Sequence, residues 1–288
     1  MRAAVSGSQA KDDSGRRFTV RFWGVRGSVA TPGPETVRYG GNTSCVEIWC
    51  GDRRIVIDAG TGIRVLGRQM LGEGPADFDL LLSHTHLDHI EGLPFFPPAF
   101  APGNMFRIWA GHLLPRITIE QALSQLMSAP LFPVPLDAFS NQVKYCDFRA
   151  GDALVLGPDI LVRTTMLDHP NHAVGYRVEF DGRSICYISD TAHVPGETNQ
   201  NIVDLIAGAD LVIYDSMFTD PEFAERPDWG HSTWREGARL TKLAGARKLV
   251  LFHHDPSRTD AELDTLGAEA AAHLPGTMVA QEGVTLTV

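Results

Sequence analysis

Several features that would restrict function are missing from this chain of 288 residues. No apolar run approaches the roughly 18 residues that a membrane-spanning helix needs, and residues 1–17 lack the apolar stretch of a secretory signal. The four cysteines include no C-x-x-C pair, which argues against a structural zinc site or a disulfide framework and favours buried thiols at Cys45, Cys50, Cys146 and Cys186. We therefore expect a cytoplasmic protein without a membrane partner.

Positive charge is also scarce, because 25 lysines and arginines stand against 35 aspartates and glutamates, for a net charge of −10. A surface that binds a long nucleic acid needs many basic side chains, so we do not expect such a partner. A small phosphodiester is compatible with this charge, since bound divalent metal ions would make the local field positive.

The chain divides into a short lead-in and one large domain. Residues 1–17 are rich in Ser, Gly, Lys and Asp and are expected to be disordered, whereas residues 18–288 have the composition of an ordinary globular domain. Residues 24–41 are rich in Gly and Pro and predict a long loop of functional interest. The less regular stretch 95–145 is a candidate lid or subunit contact.

Short apolar runs separated by turn residues predict strands first, then strands mixed with helices. Strands are expected at 18–22, 44–49, 54–58, 78–83, 160–166, 174–180, 184–189, 211–215 and 248–252, with a closing hairpin at 277–288. Helices are expected at 118–127, 201–207, 233–243 and 259–273, the last two opening with Thr-x-x-Glu capping boxes. This order suits two packed sheets with helices outside.

Four metal-binding residue types directly follow one apolar strand. Residues 80–82 are all leucine, and after Ser83 come His84, His86, Asp88 and His89. Because residues two apart in an extended segment point the same way, His84 and His86 can bind one metal ion through their imidazoles. Asp88 and His89, one step further round the turn, can face a second ion.

Four ligands are too few for two metal ions, and the chain supplies others at strand ends. His169 precedes the strand at 174–180, and Asp190 follows its hairpin partner at 184–189. The turn Asp181-Gly182 centres this hairpin, which brings His169 and Asp190 to the same edge. His253 follows the strand at 248–252 in the same way, with the adjacent His254 as the alternative ligand.

A set of motifs gives the chain a family resemblance. They are Gly40-Gly41-Asn42-Thr43-Ser44-Cys45, Asp58-Ala-Gly-Thr-Gly, His84-x-His86-x-Asp88-His89, His169 with Gly175-Tyr176-Arg177, Ser189-Asp190-Thr191, Gly230-His231-Ser232-Thr233 and Leu251-Phe252-His253. Together they resemble the metallo-β-lactamase superfamily, in the branch of ribonuclease Z and the phosphoribosyl cyclic-phosphate phosphodiesterases. The resemblance implies an α/β fold of four layers, an αββα sandwich.

The resemblance also implies a role for each site residue. His84, His86 and His169 would hold one divalent ion, Asp88, His89 and His253 a second, and Asp190 would bridge both. Asp58 would steady the ligand loop without binding metal. Zinc is the expected metal, although such ligands also accept manganese or iron. Because members of the family are often dimers, the resemblance also implies a homodimer.

The expected activity is hydrolysis of a small cyclic or nucleotide-derived phosphodiester by a metal-bound hydroxide. Asp88 and Asp190 would contribute to catalysis as well as to binding, and His231 would serve as general acid. Arg26, Arg38 and Asn42 are candidates for holding phosphate oxygens. Ribonuclease Z of the usual kind carries a tRNA-binding arm between the third histidine and the bridging aspartate. Here a compact hairpin takes its place, so tRNA processing is not expected.

Two other functions remain open from the sequence. The same centre can support hydrolysis of a thioester, a lactone or a β-lactam. A protein of a different class, a di-iron redox protein or sensor without hydrolytic turnover, could use the same ligands.

Overall fold

The structure, a computed structural model, describes residues 16–139 and 142–288. The expected disordered lead-in, residues 1–17, therefore lies outside the described residues, apart from Arg16 and Arg17. Fourteen strands lie in the described ranges: β1 (Phe18–Gly24), β2 (Cys45–Cys50), β3 (Arg53–Ile57), β4 (Asp77–Leu82), β5 (Met105–Ala110), β6 (Val143–Asp147), β7 (Ala153–Gly157), β8 (Ile160–Leu167), β9 (Ala173–Phe180), β10 (Arg183–Ile188), β11 (Leu211–Asp215), β12 (Leu249–Phe252), β13 (Met278–Val279) and β14 (Thr285–Thr287).

The helices of the same ranges are eight: α1 (Gly62–Glu73), α2 (Leu87–Ile90), α3 (Pro97–Phe100), α4 (Ile119–Leu126), α5 (Gln200–Ile206), α6 (Asp220–Glu225), α7 (Trp234–Leu243) and α8 (Asp260–His273). In the described part of the chain, no helix combines the length and apolarity needed to cross a bilayer.

The strands form two mixed sheets of seven within the described residues. The first has the order β14-β1-β2-β3-β4-β5-β6, and the second the order β13-β12-β11-β10-β9-β8-β7. Phe22 and Leu81 of the first sheet and Tyr187 and Phe252 of the second belong to one fully buried apolar cluster between the sheets. Helix α1 packs on the outer face of the first sheet, and α5, α7 and α8 cover the outer face of the second. This is the four-layer αββα sandwich expected from the sequence.

Two hydrogen bonds join the sheets at the edge where the proposed ligands lie. The Val174 amide of β9 donates to the Ser83 carbonyl at 2.9 Å, and the Tyr176 hydroxyl donates to the Leu82 carbonyl at 2.6 Å. Leu82 is the last residue of β4, and Ser83 follows it immediately before His84. The end of β4 is therefore fixed against the second sheet as well as its own.

The hairpin that was expected to close the chain at 277–288 is not formed. Strand β13 pairs with β12 in the second sheet, whereas β14 pairs with β1 in the first. The segment therefore crosses from one sheet to the other. Its alternating apolar residues are compatible with a hairpin and also with two strands in different sheets. In the structure the edges of β12 and β1 each take up one of the two strands.

The turn and one of the two capping boxes predicted from the sequence are present in the structure, and the other box is incomplete. Asp181 and Gly182 have φ of 52° and 73°, as a type I′ turn requires. Thr259 and Glu262 form a complete capping box at α8. Thr233 caps α7, but Glu236 pairs with Arg239 instead of completing the box.

The stretch 95–145 contributes two strands, β5 and β6, which extend the first sheet beyond β4. Helix α4 lies between them in sequence and begins with a capping box at Thr118 and Gln121. Whether the remainder of the stretch serves as a lid or a subunit contact stays a prediction. The cysteines carry no disulfide; Cys45, Cys50 and Cys186 are buried, and Cys146 is partly exposed.

Replacing the α8 cap tests how much the helix depends on its first turn. Thr259→Ala removes the side-chain acceptor for the Glu262 amide, and we expect the free energy of unfolding to fall by about 1 kcal/mol. Thr265→Ala, on an exposed position of the same helix, is the matched control and should change it by less than about 0.5 kcal/mol. Urea denaturation of the two variants measures the difference, and equal effects would contradict a capping role.

Candidate metal centre

The candidate site lies where strands of both sheets end. His84 follows β4 in the first sheet, while Asp190 follows β10 and His253 follows β12 in the second. Strands β10, β11 and β12 run parallel, so their carboxyl ends meet at one edge. Site residues gather at such strand ends because the loops there are free to vary while the strands hold them in place.

A first group of three histidines faces one point of this edge. The possible ligand atoms of His84, His86 and His169 lie within 4.8 Å of one another. His169 Nδ1 lies 2.7 Å from the Gly230 carbonyl oxygen, which can only accept a hydrogen bond. The proton therefore sits on Nδ1, and the Nε2 lone pair is directed at the group, 3.0 Å from His86 Nδ1.

A second group of four residues lies beside the first. One ligand atom from each of Asp88, His89, Asp190 and His253 falls within the same 4.8 Å limit. His89 Nε2 and His253 Nε2 both lie 3.3 Å from Asp88 Oδ2. All four residues are buried, and this set is the one expected for the second ion.

Asp190 connects the two groups through its two carboxylate oxygens. Oδ1 lies 3.9 Å from His84 Nε2 and 3.7 Å from His169 Nε2. Oδ2 lies 3.1 Å from His89 Nε2 and 3.3 Å from His253 Nε2. A carboxylate so placed can offer one oxygen to each of two cations.

The donor set fits divalent metal ions. The buried His84 Nε2 has no hydrogen-bond partner within the described part of the chain. Asp58, Asp88 and Asp190 are buried together, and within the described ranges no lysine or arginine pairs with any of them. Buried carboxylates are costly without a compensating cation, and imidazole with carboxylate is a ligand set for zinc and related metals. The cluster therefore fits a metal site by its chemistry as well as by its geometry.

The charges within the cluster respond to this crowding. Burial, with help from His89, holds the pKa of His84 well below its ordinary value. Burial alone would raise the pKa of Asp190, but the surrounding imidazoles, His253 foremost, hold it well below the usual range. Burial alone would likewise lower the pKa of His89, yet the nearby carboxylates, Asp190 foremost, raise it well above normal. The cluster thus favours ionised carboxylates and a positive charge among them.

Asp58 holds the ligand loop from behind. Its Oδ1 accepts the Ser83 amide at 2.7 Å, and its Oδ2 accepts the Ser83 hydroxyl at 2.8 Å. Oδ2 also accepts His89 Nδ1 and the Tyr187 hydroxyl, each at 2.7 Å. The bond to Nδ1 directs His89 Nε2 toward the second group, an arrangement compatible with the orienting role predicted for Asp58, which stays a prediction.

Three of these strand-end residues have an unusual backbone. Asp58, Asp190 and His253 adopt φ of 63°, 61° and 59°. Such left-handed conformations cost about 1–3 kcal/mol for residues with a side chain and persist where the surrounding structure fixes them. The strain falls on residues that face the metal cluster.

His231 lies against both groups and is held by an acid. Its ring stacks on His253 with 5.0 Å between centroids, and the ring of His169 lies 5.3 Å away. Nδ1 lies 3.0 Å from Asp215 Oδ2. Burial lowers the pKa of His231, but the Asp215 carboxylate outweighs it and raises the pKa to about 9.

The three residues expected to hold phosphate are engaged elsewhere. Arg26 is fully buried and donates to the carbonyls of Gly40 and Arg258. Arg38 donates to the Asp264 carboxylate and the Asp260 carbonyl, and Asn42 donates to Glu282. These side chains fix the loop at 24–41 and its end to the rest of the chain.

The choice between the two adjacent histidines has a structural basis. His253 faces Asp88 and Asp190, whereas His254 Nε2 donates to the Ala280 carbonyl at 2.9 Å. Burial lowers the pKa of His254 to about 3. The placement therefore favours His253 as the ligand.

Sequence reasoning missed three contributors to the site. Asp215 ends the apolar strand β11, and its position after four apolar residues was a usable signal. The Ser28 amide donates to Asp88 Oδ2 at 2.7 Å, a backbone contact that no motif announces. Gly27 lies so close to His253 that an added Cβ would come within 2.4 Å of its Cε1.

Comparison with known proteins agrees with this geometry. Residues 53–254 match the model of the beta-lactamase superfamily domain, so the chain belongs to that superfamily. It is similar to ribonuclease Z of Gemmatimonas aurantiaca, with 26% identity over 92% of this chain and 94% of that protein. Ribonuclease Z of a Bradyrhizobium species is 28% identical over 84% of this chain and 92% of that protein.

Solved structures share the fold at low identity. Zinc-bound PqqB from Methylobacterium extorquens has a TM-score of 0.72 and 19% identity, covering 94% of this chain and 100% of its own. The short form of human tRNase Z has a TM-score of 0.66 and 19% identity, covering 93% and 98%. A diphosphatase of the PhnP family has the same score and identity, covering 94% and 97%. Family and relatives together support a metal-dependent hydrolase.

Removing the charge of Asp58 should weaken metal binding. Asp58→Asn loses the anionic acceptor of His89 Nδ1, so we expect metal affinity to fall by about 10- to 100-fold. Asp79→Asn is the control, because Asp79 is also buried but pairs with Arg53 and Arg107 away from the histidines. Metal content after dialysis against graded chelator measures affinity. Equal retention of metal by both variants would refute the role of Asp58.

A methyl group at Gly27 tests the packing behind His253. Gly27→Ala should displace the His253 ring and lower metal occupancy of the second group by about tenfold or more. Gly33→Ala, in the same loop, places its Cβ no closer than 3.8 Å to any neighbour and should leave binding unchanged. Titration of the apo variants with zinc distinguishes them, and two normal binding steps in Gly27→Ala would contradict the expectation.

Proposed function

We propose that this chain is a phosphodiesterase with a dinuclear metal centre, acting on a small cyclic or nucleotide-derived phosphodiester. His84, His86 and His169 would hold one ion and Asp88, His89 and His253 the other, while Asp190 would offer one carboxylate oxygen to each. Zinc is the proposed metal, in keeping with the ligand set. The observation that carries the proposal is Asp190, whose two oxygens face two separate groups of imidazoles.

The metal ions, when bound, lower the pKa of a shared water and stabilise negative charge on the attacked group. The remaining task of the chain is to supply a proton to the departing oxygen. His231 Nδ1 is held by Asp215, which leaves Nε2 as the atom that donates this proton. Asp215 is therefore a positioning residue, and it holds the His231 ring in one orientation beside the centre.

A cleft of about 1300 Å³ opens beside the centre and is lined in part by His169, Gly230 and Phe223. This volume exceeds the range of about 300–1,000 Å³ typical of small-molecule sites, so it has room for a nucleotide-sized substrate. The two arginines on its wall are paired, Arg235 with Asp220 and Arg239 with Glu236. A polyanionic strand would therefore find little free positive charge along this cleft, which favours a small substrate.

Processing of RNA is the second candidate, because the curated relatives are ribonucleases Z. That similarity runs against the small substrate and against the expected absence of a nucleic-acid partner. Two features of this chain favour the small molecule: the net charge of −10 and the hairpin of β9 and β10, which alone separates His169 from Asp190. A cytoplasmic location and a homodimer stay predictions.

A substrate screen with two variants tests the proposal. Metal-reconstituted protein should hydrolyse bis(p-nitrophenyl) phosphate, and His231→Ala should lower kcat by about 100-fold or more with metal content unchanged. Asp215→Asn should lower kcat less, since the imidazole remains. His273→Ala, at the exposed end of α8, is the control and should behave as the unchanged protein.

Other outcomes identify the competing functions. Cleavage of thioesters, lactones or β-lactams without phosphodiester cleavage would overturn the proposal in favour of another hydrolase. Efficient cleavage of a precursor tRNA, with small diesters turned over poorly, would assign the RNA-processing function. A visible absorption band from bound iron without any turnover would assign a di-iron redox protein or sensor.

A further inference from the structure

Arg226 lies at the end of α6, five residues before His231. Its guanidinium carbon sits 5.5 Å from the centre of the Phe218 ring and 5.4 Å from that of Trp229. Both distances fall in the range of cation–π contacts, which hold a guanidinium in place without using its hydrogen-bond donors. Arg226 is half-buried, so the rings restrict its motion while water still reaches it.

Arg226 differs in its pairing from the other arginines of this region. Residues 217–258 contain five arginines, and four of them form ion pairs, Arg235 with Asp220, Arg239 with Glu236, Arg247 with Asp210 and Arg258 with Glu222. Within the part of the chain that the structure describes, Arg226 has no carboxylate within 4 Å and no side-chain hydrogen bond. All five guanidinium N–H donors are thus available to a ligand.

Ring contacts connect Arg226 to the centre. Phe218, which carries the guanidinium on its face, meets the His231 ring edge-on at 5.8 Å between centroids. Trp229 is 61% exposed and is separated from His231 in sequence only by Gly230. The Arg226 guanidinium is therefore separated from His231, the proposed general acid, only by the Phe218 ring, and the exposed Trp229 ring lies beside it.

We propose that Arg226 and Trp229 form a subsite for a second anionic group of the substrate, such as an additional phosphate next to the phosphodiester that is cleaved. This proposal rests on the proposed function and narrows its substrate class to a diester that carries a further negative charge. A planar guanidinium with its donors unpaired is suited to bidentate binding of phosphate oxygens. Trp229 supplies a wall against which an attached sugar or base packs.

The position of Arg226 at a helix end does not account for its free donors. A cation is favourable at a helix carboxyl end, but α6 has only six residues, and no described carbonyl accepts from the Arg226 side chain. Of the arginines expected from sequence to bind phosphate, Arg26 is fully buried and hydrogen-bonded to the Gly40 carbonyl, and Arg38 is paired with Asp264. Among these arginines, and within the described residues, Arg226 is partly exposed and keeps its guanidinium donors unpaired beside Phe218, which contacts His231.

The kinetic test compares two chromogenic diesters on the metal-loaded enzyme. Bis(p-nitrophenyl) phosphate has no second phosphate, whereas thymidine 3′-phosphate 5′-(p-nitrophenyl phosphate) has one. We expect Arg226→Met to raise KM for the second substrate about tenfold, equivalent to about 1.4 kcal/mol, with kcat nearly unchanged. KM for the first should change less than about twofold, and Arg226→Lys should restore part of the loss. Arg247→Met, which breaks an exposed pair with Asp210 outside the cleft lining, is the matched control.

A binding test works without turnover. Calorimetry on the metal-loaded protein compares thymidine 3′,5′-bisphosphate with thymidine 5′-monophosphate. The unchanged protein and Arg247→Met should bind the bisphosphate more tightly than the monophosphate. Arg226→Met should lose this preference while keeping its melting temperature within a few degrees. This result without any phosphodiesterase activity would uphold the subsite and refute the proposed function.

Three results would overturn the subsite. One is active enzyme in which Arg226→Met leaves both KM values unchanged. A second is an equal rise of KM for both diesters, which would place Arg226 at the reacting phosphate. The third is a bisphosphate preference that is absent from the unchanged protein or survives in Arg226→Met. In each case an active unchanged enzyme would leave the proposed function standing.

Discussion

The position of the Asp190 carboxylate between two groups of imidazoles is the constraint on which the site depends. The ligand loop after β4 belongs to the first sheet, while Asp190 and His253 belong to the second. The distances between them are therefore set by how the two sheets pack. The Val174 and Tyr176 hydrogen bonds to the end of β4 fix that packing beside His84. The geometry of the candidate metal centre therefore depends on the packing of the core between the sheets.

The parts of the site that strand ends determine were accessible from sequence. The ligands after β4 are contiguous, and the Asp181-Gly182 turn alone predicts that His169 and Asp190 converge. Asp215 has the same signal, an acidic residue at the end of an apolar strand. It was not predicted, because the expected set of metal ligands was complete without it. The fold class followed from the order of strands and helices together with the family motifs. Helix α1, which covers the first sheet, was not predicted.

Tertiary packing decided what the sequence could not. Arg26 and Arg38 lie in a glycine-rich loop. From sequence alone, an arginine that binds a substrate in such a loop cannot be distinguished from one that anchors the loop to the rest of the protein. Only the positions of Arg258, Asp260 and Asp264, more than 200 residues later, assign them to the latter role. The closing segment likewise gave no local sign that β13 and β14 join different sheets. Conversely, the unpaired state of Arg226 is visible only when its neighbours are in place.

Within the described residues, three buried carboxylates have imidazoles but no lysine or arginine beside them, so a bound cation would stabilise the folded chain. A ligand that binds only the folded chain stabilises it by about 2.7 kcal/mol when its free concentration is 100 times its dissociation constant. The left-handed backbone conformations of Asp58, Asp190 and His253 lower the free energy of unfolding that this stabilisation raises. Within a cell, the free concentration of the metal would then govern how long the chain survives proteolysis, in addition to how fast it turns over substrate.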